Sequence, residues 1–518
     1  MLIAVTLSLL LLTVIGLIVL RTFRPDLSLA WPLAALGTFM AWLSTFLWQF
    51  NLPVRLTLVN YSLNDVTDYS LSLLADRTNF PYAIGIASLV MAAVLVSTLN
   101  AKSISHLGWM NILFFAILGL AAVLAETLLM LVIAWAFIDL ALLIGSVYLA
   151  DNPHLSENSV WSYSGRLIGL GVILWAGILS ASQGQQPLFS SIPQNIAAIF
   201  LIGVTIRIGA MLNNLPYEGN PSIQNPQSII VVLISAIANL ALLSRLNFAG
   251  GGVFIITLFC LFVGVAGLLL LINWLRASTV ISSLPLWIMA VAALALAASL
   301  QGNPVGATAW GSSILFIGGV LYFYTTRKRW LTIVLLIATF SISSLPFSLT
   351  ATAWEGNSPK AWVSLIILLP LQSLLIASFL RSIALGNGED LGTQPNWVKV
   401  FYPIGLATLV LTSLVLGITG WVGAGQIGAW IPALIVVVLT ASLSFIMLRI
   451  PLAKTFGTNR VPGPMTWVGS VQDAWWILFR TVRRLTELLS QTLEGDGGFL
   501  WTILLLLLFV SIIRVYVR

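Results

Sequence analysis

The chain alternates long unbroken apolar stretches with short polar segments. Windows of about 20 apolar residues, the length an α-helix needs to cross a bilayer, occur at 2–20, 28–50, 82–100, 108–125, 127–149, 166–182, 192–212, 228–244, 252–275, 280–300, 305–324, 330–349, 361–381, 401–422, 429–448 and 500–516. They are too long and too continuous for the ~10-residue alternating strands of an outer-membrane barrel. The pattern predicts an all-α, polytopic membrane protein with about 16 (14–16) transmembrane helices. Two regions do not read as spans. Residues 51–81 are polar and acidic, an outside loop or cap. Residues 451–499 contain a stretch from Gln472 to Leu493 with apolar Trp476, Leu478, Val482, Leu485, Leu488 and Leu489 at helical spacing, opposite Arg480, Arg483, Arg484 and Glu487. That is the pattern of an amphipathic helix on the cytoplasmic surface, serving as a membrane-surface connector or as a strut against a neighbouring subunit.

Composition agrees. Of 518 residues 59% are hydrophobic and 8% charged, and mean hydropathy is +1.03; a soluble domain carries roughly 25% charged residues. One thiol, Cys260, and two histidines, His106 and His154, near the ends of apolar windows, supply neither a thiolate metal site nor an iron–sulfur cluster. No nucleotide-binding loop occurs in a strand–helix setting. The sequence therefore predicts no cofactor, no metal and no catalytic residues of its own. The formal charge of +7 is spread over loops and does not point to nucleic acid. Arg21, Arg24, Lys102, Arg166, Arg276, Arg327, Lys328, Arg329, Arg381, Lys399 and Arg449 follow odd-numbered windows, whereas Arg55, Arg77, Arg245 and Lys360 share the opposite loops with acids. This bias places the N-terminus outside. The tryptophans, Trp31, Trp135, Trp175, Trp310 and Trp430 among them, read as interfacial belts, and Gly250-Gly251-Gly252 as a tight turn.

A charge at bilayer depth is costly, so each one is a candidate for function. Asp139 lies near the middle of the fifth window and Arg207 well inside the seventh; Glu126 stands at the entrance to the fifth. An acid and a cation on nearby helices are the minimum of a proton relay, because the cation modulates the proton affinity of the acid. Arginine itself does not release its proton. The structural alternative is an Asp139–Arg207 pair that locks helices together. Prolines mark the other irregularities: Leu215-Pro216 ends the seventh window, and Pro346 opens the twelfth at membrane depth, freeing backbone carbonyls. Breaks at matching positions of two halves point to an inverted-repeat transporter.

These residues together resemble the antiporter-like membrane subunits of respiratory complex I, related to Mrp antiporters and membrane-bound hydrogenases. Trp135 matches an aromatic–Trp–Glu–Leu run in the fifth span of that family. The Glu position is Ala136 here, and Asp139, three residues on, can stand in for it. Arg207 lies near the family lysine of the seventh span, and Leu215-Pro216 near its Leu-Pro. Leu345-Pro346-Phe347 keeps one proline of the twelfth-span break, and residues 493–514 look like the terminal segment of larger members. The intervening proline and histidine of the seventh span and the Lys-Arg-x-x-Ala-Tyr-Ser segment of the eighth are missing.

The resemblance implies N-terminal spans and an outside loop over 1–107, five-helix repeats over 108–246 and 252–382, further spans over 400–450, the amphipathic segment 451–499 and a terminal span 500–518. It implies a membrane-arm subunit of a complex I-like NAD(P)H-quinone oxidoreductase contributing to proton translocation, in a bacterial plasma membrane or thylakoid. Its partners would be other hydrophobic membrane subunits, lipids and, indirectly, soluble redox subunits. A non-conducting scaffold in an energy-transducing complex, and a lipid-linked saccharide polymerase or flippase, are the alternatives.

Overall fold

A computed structural model describes residues 2–449 apart from 24–28, 64–66, 101–103, 149–152, 184–187, 190–191, 214–225, 247–252, 277–279, 328, 356–361 and 385–388. The chain divides into compact units Met1–Ile450 and Pro451–Arg518. The second unit, with the expected amphipathic helix and terminal span, lies outside the described residues, as do Pro216 and Gly250-Gly251-Gly252.

The first unit is a helical bundle. Its helices are α1 (Leu2–Phe23), α2 (Ala30–Leu47), α3 (Phe80–Val96), α4 (His106–Leu124), α5 (Leu128–Tyr148), α6 (Pro153–Ser182), α7 (Gln194–Gly209), α8 (Pro226–Leu240), α9 (Val253–Arg276), α10 (Val280–Leu300), α11 (Pro304–Ser313), α12 (Gly319–Phe323), α13 (Arg329–Ser341), α14 (Trp362–Ala384), α15 (Asn396–Ile418) and α16 (Trp430–Arg449). A π-helical turn at Ile314–Gly318 joins α11 to α12, so the two form one span. Among the described residues thirteen helical segments are long and apolar enough to cross a membrane, and two shorter apolar helices accompany them. Every apolar window before residue 450 thus holds a helix. The short ones are α7 and α13, the seventh and twelfth windows. At 1.5 Å per residue their 16 and 13 residues reach ~24 and ~20 Å, less than the ~30 Å hydrocarbon core.

Burial sorts the helices. All of α3 is buried, and α8, α10 and α11–α12 are nearly so. With no water to hide from, their packing rests on close contact between small and branched side chains. The windows of α1, α6, α9 and α16 are buried over less than a third of their residues, and α9 turns Phe254 and Phe262 outward, 79% and 72% exposed.

The loops confirm the parity of the helix count. At one end meet the segments after the second, fourth, sixth, eighth and fourteenth spans. Leu73 bridges Ala125, and Thr127 bridges Leu188. Arg245 donates to the carbonyls of Val123 and Ala125. Gln49 Nε2 donates to Thr419 Oγ1, and the Val422 N–H to the Arg77 carbonyl. At the other end Trp31 packs on Trp397, and the short strands β3 (Thr326–Arg327) and β4 (Glu389–Asp390) pair in parallel.

The region 51–81, read as an outside loop or cap, contains two strands within an otherwise helical fold: β1 (Val54–Leu63) and β2 (Thr67–Ala75) pair as an antiparallel hairpin with a bulge at Thr57/Val59. One expectation that changes concerns tryptophan. Trp135 and Trp310 are fully buried, each within a helix and not at a belt, whereas Trp175 and Trp430 are exposed.

Pro346 does sit in a helix break. Helix α13 stops at Ser341, and helical geometry resumes only as a 3₁₀ turn at Ala351–Trp354. Between them Ser344 and Phe347 adopt positive φ of 57° and 63°. Side chains take up the freed backbone groups. Gln372 Nε2 donates to the Ile342 carbonyl and to Ser344 Oγ, both at 2.9 Å, and its Oε1 accepts from Trp354 Nε1 at 2.9 Å. Asn303 Nδ2 donates to the carbonyls of Thr352 (2.8 Å) and Glu355 (2.7 Å). Thr350 Oγ1 donates to the Ser341 carbonyl and accepts from the Ser344 N–H, and the Phe347 N–H reaches the Gln426 carbonyl. Outside the spans, burial raises the carboxyl pKa of Glu355 above its ordinary value, opposed by a hydrogen bond from the Gly428 backbone.

Gly428 closes the turn against this break at φ +67°, with the place of a Cβ occupied by the Ala351 carbonyl. Gly428→Val is therefore expected to destabilise the bundle by about 3 kcal/mol, from a disfavoured backbone region plus a steric clash. The midpoint of thermal unfolding in detergent checks this; an unchanged midpoint would show that the turn relaxes freely.

Candidate functional site

Helix α5 presents Trp135 and Asp139 one turn apart on a single face. Helices α6, α7 and α8 bring Arg166, Arg207 and Asn239 to that face. Asp139 Oδ2 accepts from Arg207 Nη2 at 2.8 Å, and Oδ1 from Arg166 Nη1 at 3.5 Å. All three residues are 1% exposed. Arg207 is satisfied on every nitrogen: Nε donates to Asn239 Oδ1 at 2.8 Å, and Nη1 to the Arg166 carbonyl at 3.0 Å. Its guanidinium lies over the Trp135 ring at 4.3 Å, a favourable place for a cation on an aromatic face. Trp135 Nε1 in turn donates to the Ala238 carbonyl, and Asn239 Nδ2 to the Ser235 carbonyl. The partners of Arg207 are thus themselves held in place.

Arg166 is held less completely. Its Nη2 donates to Ser162 Oγ at 3.1 Å, and Ser162 Oγ donates to the Ala210 carbonyl. Its buried Nε has no hydrogen-bond partner.

Small residues allow this convergence. A Cβ on Gly169 would meet Arg207 Cγ at 2.5 Å and the Gly203 carbonyl at 2.7 Å; one on Gly165 would meet the Ala210 Cβ at 2.8 Å. Gly165 and Gly169 thus form a small-xxx-small face that brings α6 against α7, in backbone contact where Arg207 crosses.

The placement of the expected residues is now plain. Asp139 and Arg207 are brought together. Glu126 is not with them: it lies thirteen residues up the chain from Asp139, ~20 Å along a helix axis, at the hairpin end. There its Oε2 accepts from Arg55 Nε at 2.7 Å, and its N–H donates to the Ser72 carbonyl. Arg55 is half-exposed, so this pair adds little stability. Arg166 requires a correction. It reads as a loop charge because the apolar window begins at 166, but α6 starts at Pro153 and carries Arg166 into the bundle. Its place was signalled by Ser162, Gly165, Arg166 and Gly169 at helical spacing. Asn239 gave no signal beyond being a polar residue in an apolar window.

Chemically, the cluster holds one group that can gain or lose a proton, the Asp139 carboxyl. Both guanidiniums are fixed cations. Among the described residues Asp139, Arg166 and Arg207 are the only buried charged side chains; the break around Pro346 is lined by amides and hydroxyls.

The fold and this geometry can be set beside known proteins. No protein-family model matches the sequence, and no curated protein matches it. Solved structures do match in fold. A chain of the Mrp complex from Dietzia sp. DQ12-45-1b superposes with a TM-score of 0.66 at 15% identity, over 99% of this chain and 63% of that one. A chain of the membrane-bound sulfane sulfur reductase, an archaeal respiratory membrane complex, gives 0.56 at 14% identity over 97% and 99%. A chain of respiratory complex I from Thermus thermophilus gives 0.54 at 14% identity over 80% and 96%. The present chain spans about 63% of the length of the Mrp chain. The molecule is thus an integral, multi-pass α-helical membrane protein. Its fold is that of the antiporter-like membrane subunits of complex I-type and Mrp assemblies.

The charge count makes a stability prediction. Asp139→Leu leaves two buried cations with no carboxylate and is expected to cost about 3–5 kcal/mol, the cost of breaking a buried ion pair. Arg166→Gln leaves a neutral Asp139–Arg207 pair and is expected to stay within about 1 kcal/mol of the parent. Unfolding midpoints of the two variants in low-salt detergent decide it; equal losses would mean that Arg166 is as essential to charge balance as Asp139.

Proposed function

We propose that the chain is a membrane-arm subunit of a complex I-like NAD(P)H-quinone oxidoreductase, and that it contributes to proton translocation through its first half. The observation that carries this reading is the Asp139–Arg207 contact of 2.8 Å in the middle of the spans. A protonatable acid at bilayer depth, held by a cation that can only modulate it, is equipment for moving a proton and is expensive as mere scaffolding. Glu126, beside Arg55 at the hairpin end, is the proposed surface station, and Arg207 the modulator. Residues 108–246 and 252–382 are proposed as the two five-helix repeats. This is supported by the position of the short helix, since α7 and α13 are each the fourth span of their segment. Electrons travel in other subunits. The proposed partners are hydrophobic membrane subunits, lipids and, indirectly, soluble redox subunits, in a bacterial plasma membrane or thylakoid with the N-terminus outside.

A second reading is favoured by one observation. The interior of α9–α16 holds no charged side chain among the described residues, and the amides Gln372 and Asn303 are engaged in holding the break. A subunit that kept the fold and lost conduction would look the same there. Asp139→Asn keeps the side-chain shape and one acceptor oxygen, which can serve Arg207, but cannot cycle a proton. In the assembled complex it is expected to lower proton pumping by roughly tenfold or more, as loss of a proton-transferring side chain does. Pumping measured per assembled complex in vesicles gives the answer: undiminished pumping favours the scaffold.

A further inference from the structure

The buried cluster does not balance. Asp139 contributes one negative charge, and Arg166 and Arg207, which stay protonated, contribute two positive ones. All three are 1% exposed. Among the described side chains no other acid joins them; α5 packs against α4, α6, α8 and β2. The titratable groups there are His106 on α4, Asp68 and Tyr69 on β2, and His154, Glu157, Tyr163 and Arg166 on α6; α8 has none. Arg207 comes from α7. Of these, the two arginines are bonded to Asp139. The excess charge has an address. Every nitrogen of Arg207 has a partner, while Arg166 reaches Asp139 only at 3.5 Å and its buried Nε–H has none. An unmet donor on an uncompensated cation calls for an anion.

We infer that Arg166 binds a small monovalent inorganic anion of the halide class, and that its binding is coupled to protonation of Asp139. The charge fits one negative ion. Helices α6 and α7 are in close contact at Gly165, Gly169 and Gly203, so the smallest anions are the class proposed. The coupling follows from electrostatics. Without the anion, a proton on Asp139 would leave two cations facing each other. With it, the protonated cluster carries the same net charge as the resting one. The anion therefore raises proton affinity, and by linkage the proton raises anion affinity. This goes beyond proton translocation: it makes the first half a proton–anion site.

The test is an equilibrium measurement on the purified full-length chain in nanodiscs. Sodium bromide is titrated against sodium gluconate at constant ionic strength, read by calorimetry and by a pH electrode in weakly buffered medium. Saturable bromide binding with net proton uptake is expected, tighter at lower pH. Arg166→Gln should weaken binding by about tenfold or more, as removal of a charged donor does. Arg166→Lys, which keeps the charge but lacks the Nε–H, should also bind more weakly than the parent. Asp139→Asn should still bind bromide but take up no protons. Absent or non-saturable binding, or binding unchanged in both Arg166 variants, overturns the site. Binding without proton uptake in the parent overturns the coupling, and saturable binding of inorganic phosphate in place of bromide overturns the halide assignment. None of these readings depends on whether an assembled complex pumps.

Discussion

The first half of the bundle is organised around the cost of holding ionised groups away from water. Asp139, Arg166 and Arg207 are buried as completely as the leucines around them, and each would be untenable alone. Their mutual contacts explain features that otherwise look unrelated. The glycines of α6 and α7 let Arg207 cross from one helix to the other. Asn239 and the Arg166 carbonyl take the donors Asp139 leaves unused. Trp135 lies in the core because its ring supports the guanidinium and its indole N–H caps a carbonyl of α8.

The second half meets the same bilayer constraint by another route. Its break at Pro346 exposes carbonyls that lipid cannot satisfy, and neutral amides answer them. Gln372 and Asn303 each tie several backbone or hydroxyl groups across helices. An amide side chain neither gains nor loses a proton near neutral pH, and its donors and acceptors are fixed in place. Among the described residues the interior of this half is uncharged, whereas the first half buries three charged side chains. The fold shared with Mrp and complex I subunits is compatible with either arrangement, since a fold fixes where helices run and leaves open which side chains they carry.

Much of the architecture was legible in the sequence, because a single requirement, about 20 apolar residues per crossing, acts on every span alike. The short twelfth span carried a mark in Pro346, whereas Pro216, read as the end of the seventh, lies outside the described residues. What escaped was local. The hairpin alternates residues at period two over β1 and β2, but its many polar positions made 51–81 read as a loop. The first half of α6, from Pro153, is polar, and a hydropathy window therefore starts too late and leaves Arg166 outside. Asp139 and Arg207 were visible because charge in an apolar window is conspicuous. Asn239 was not, because a lone amide carries no such contrast.

The misplaced arginine changes the physics most. With Asp139 and Arg207 alone the cluster would be a neutral pair, for which locking two helices together would suffice as an explanation. With Arg166 it becomes a cationic triad, and locking no longer suffices: a third charge adds desolvation cost without an acid to offset it. Removing the excess would need only a neutral residue on α6. That the chain instead places an arginine there, tethers it through Ser162 to the end of α7, and leaves its Nε–H unmet is consistent with a site whose occupancy changes. An ion arriving at or leaving such a site would shift the local charge by a whole unit, and at these buried positions the low effective dielectric makes that shift act strongly on its neighbours.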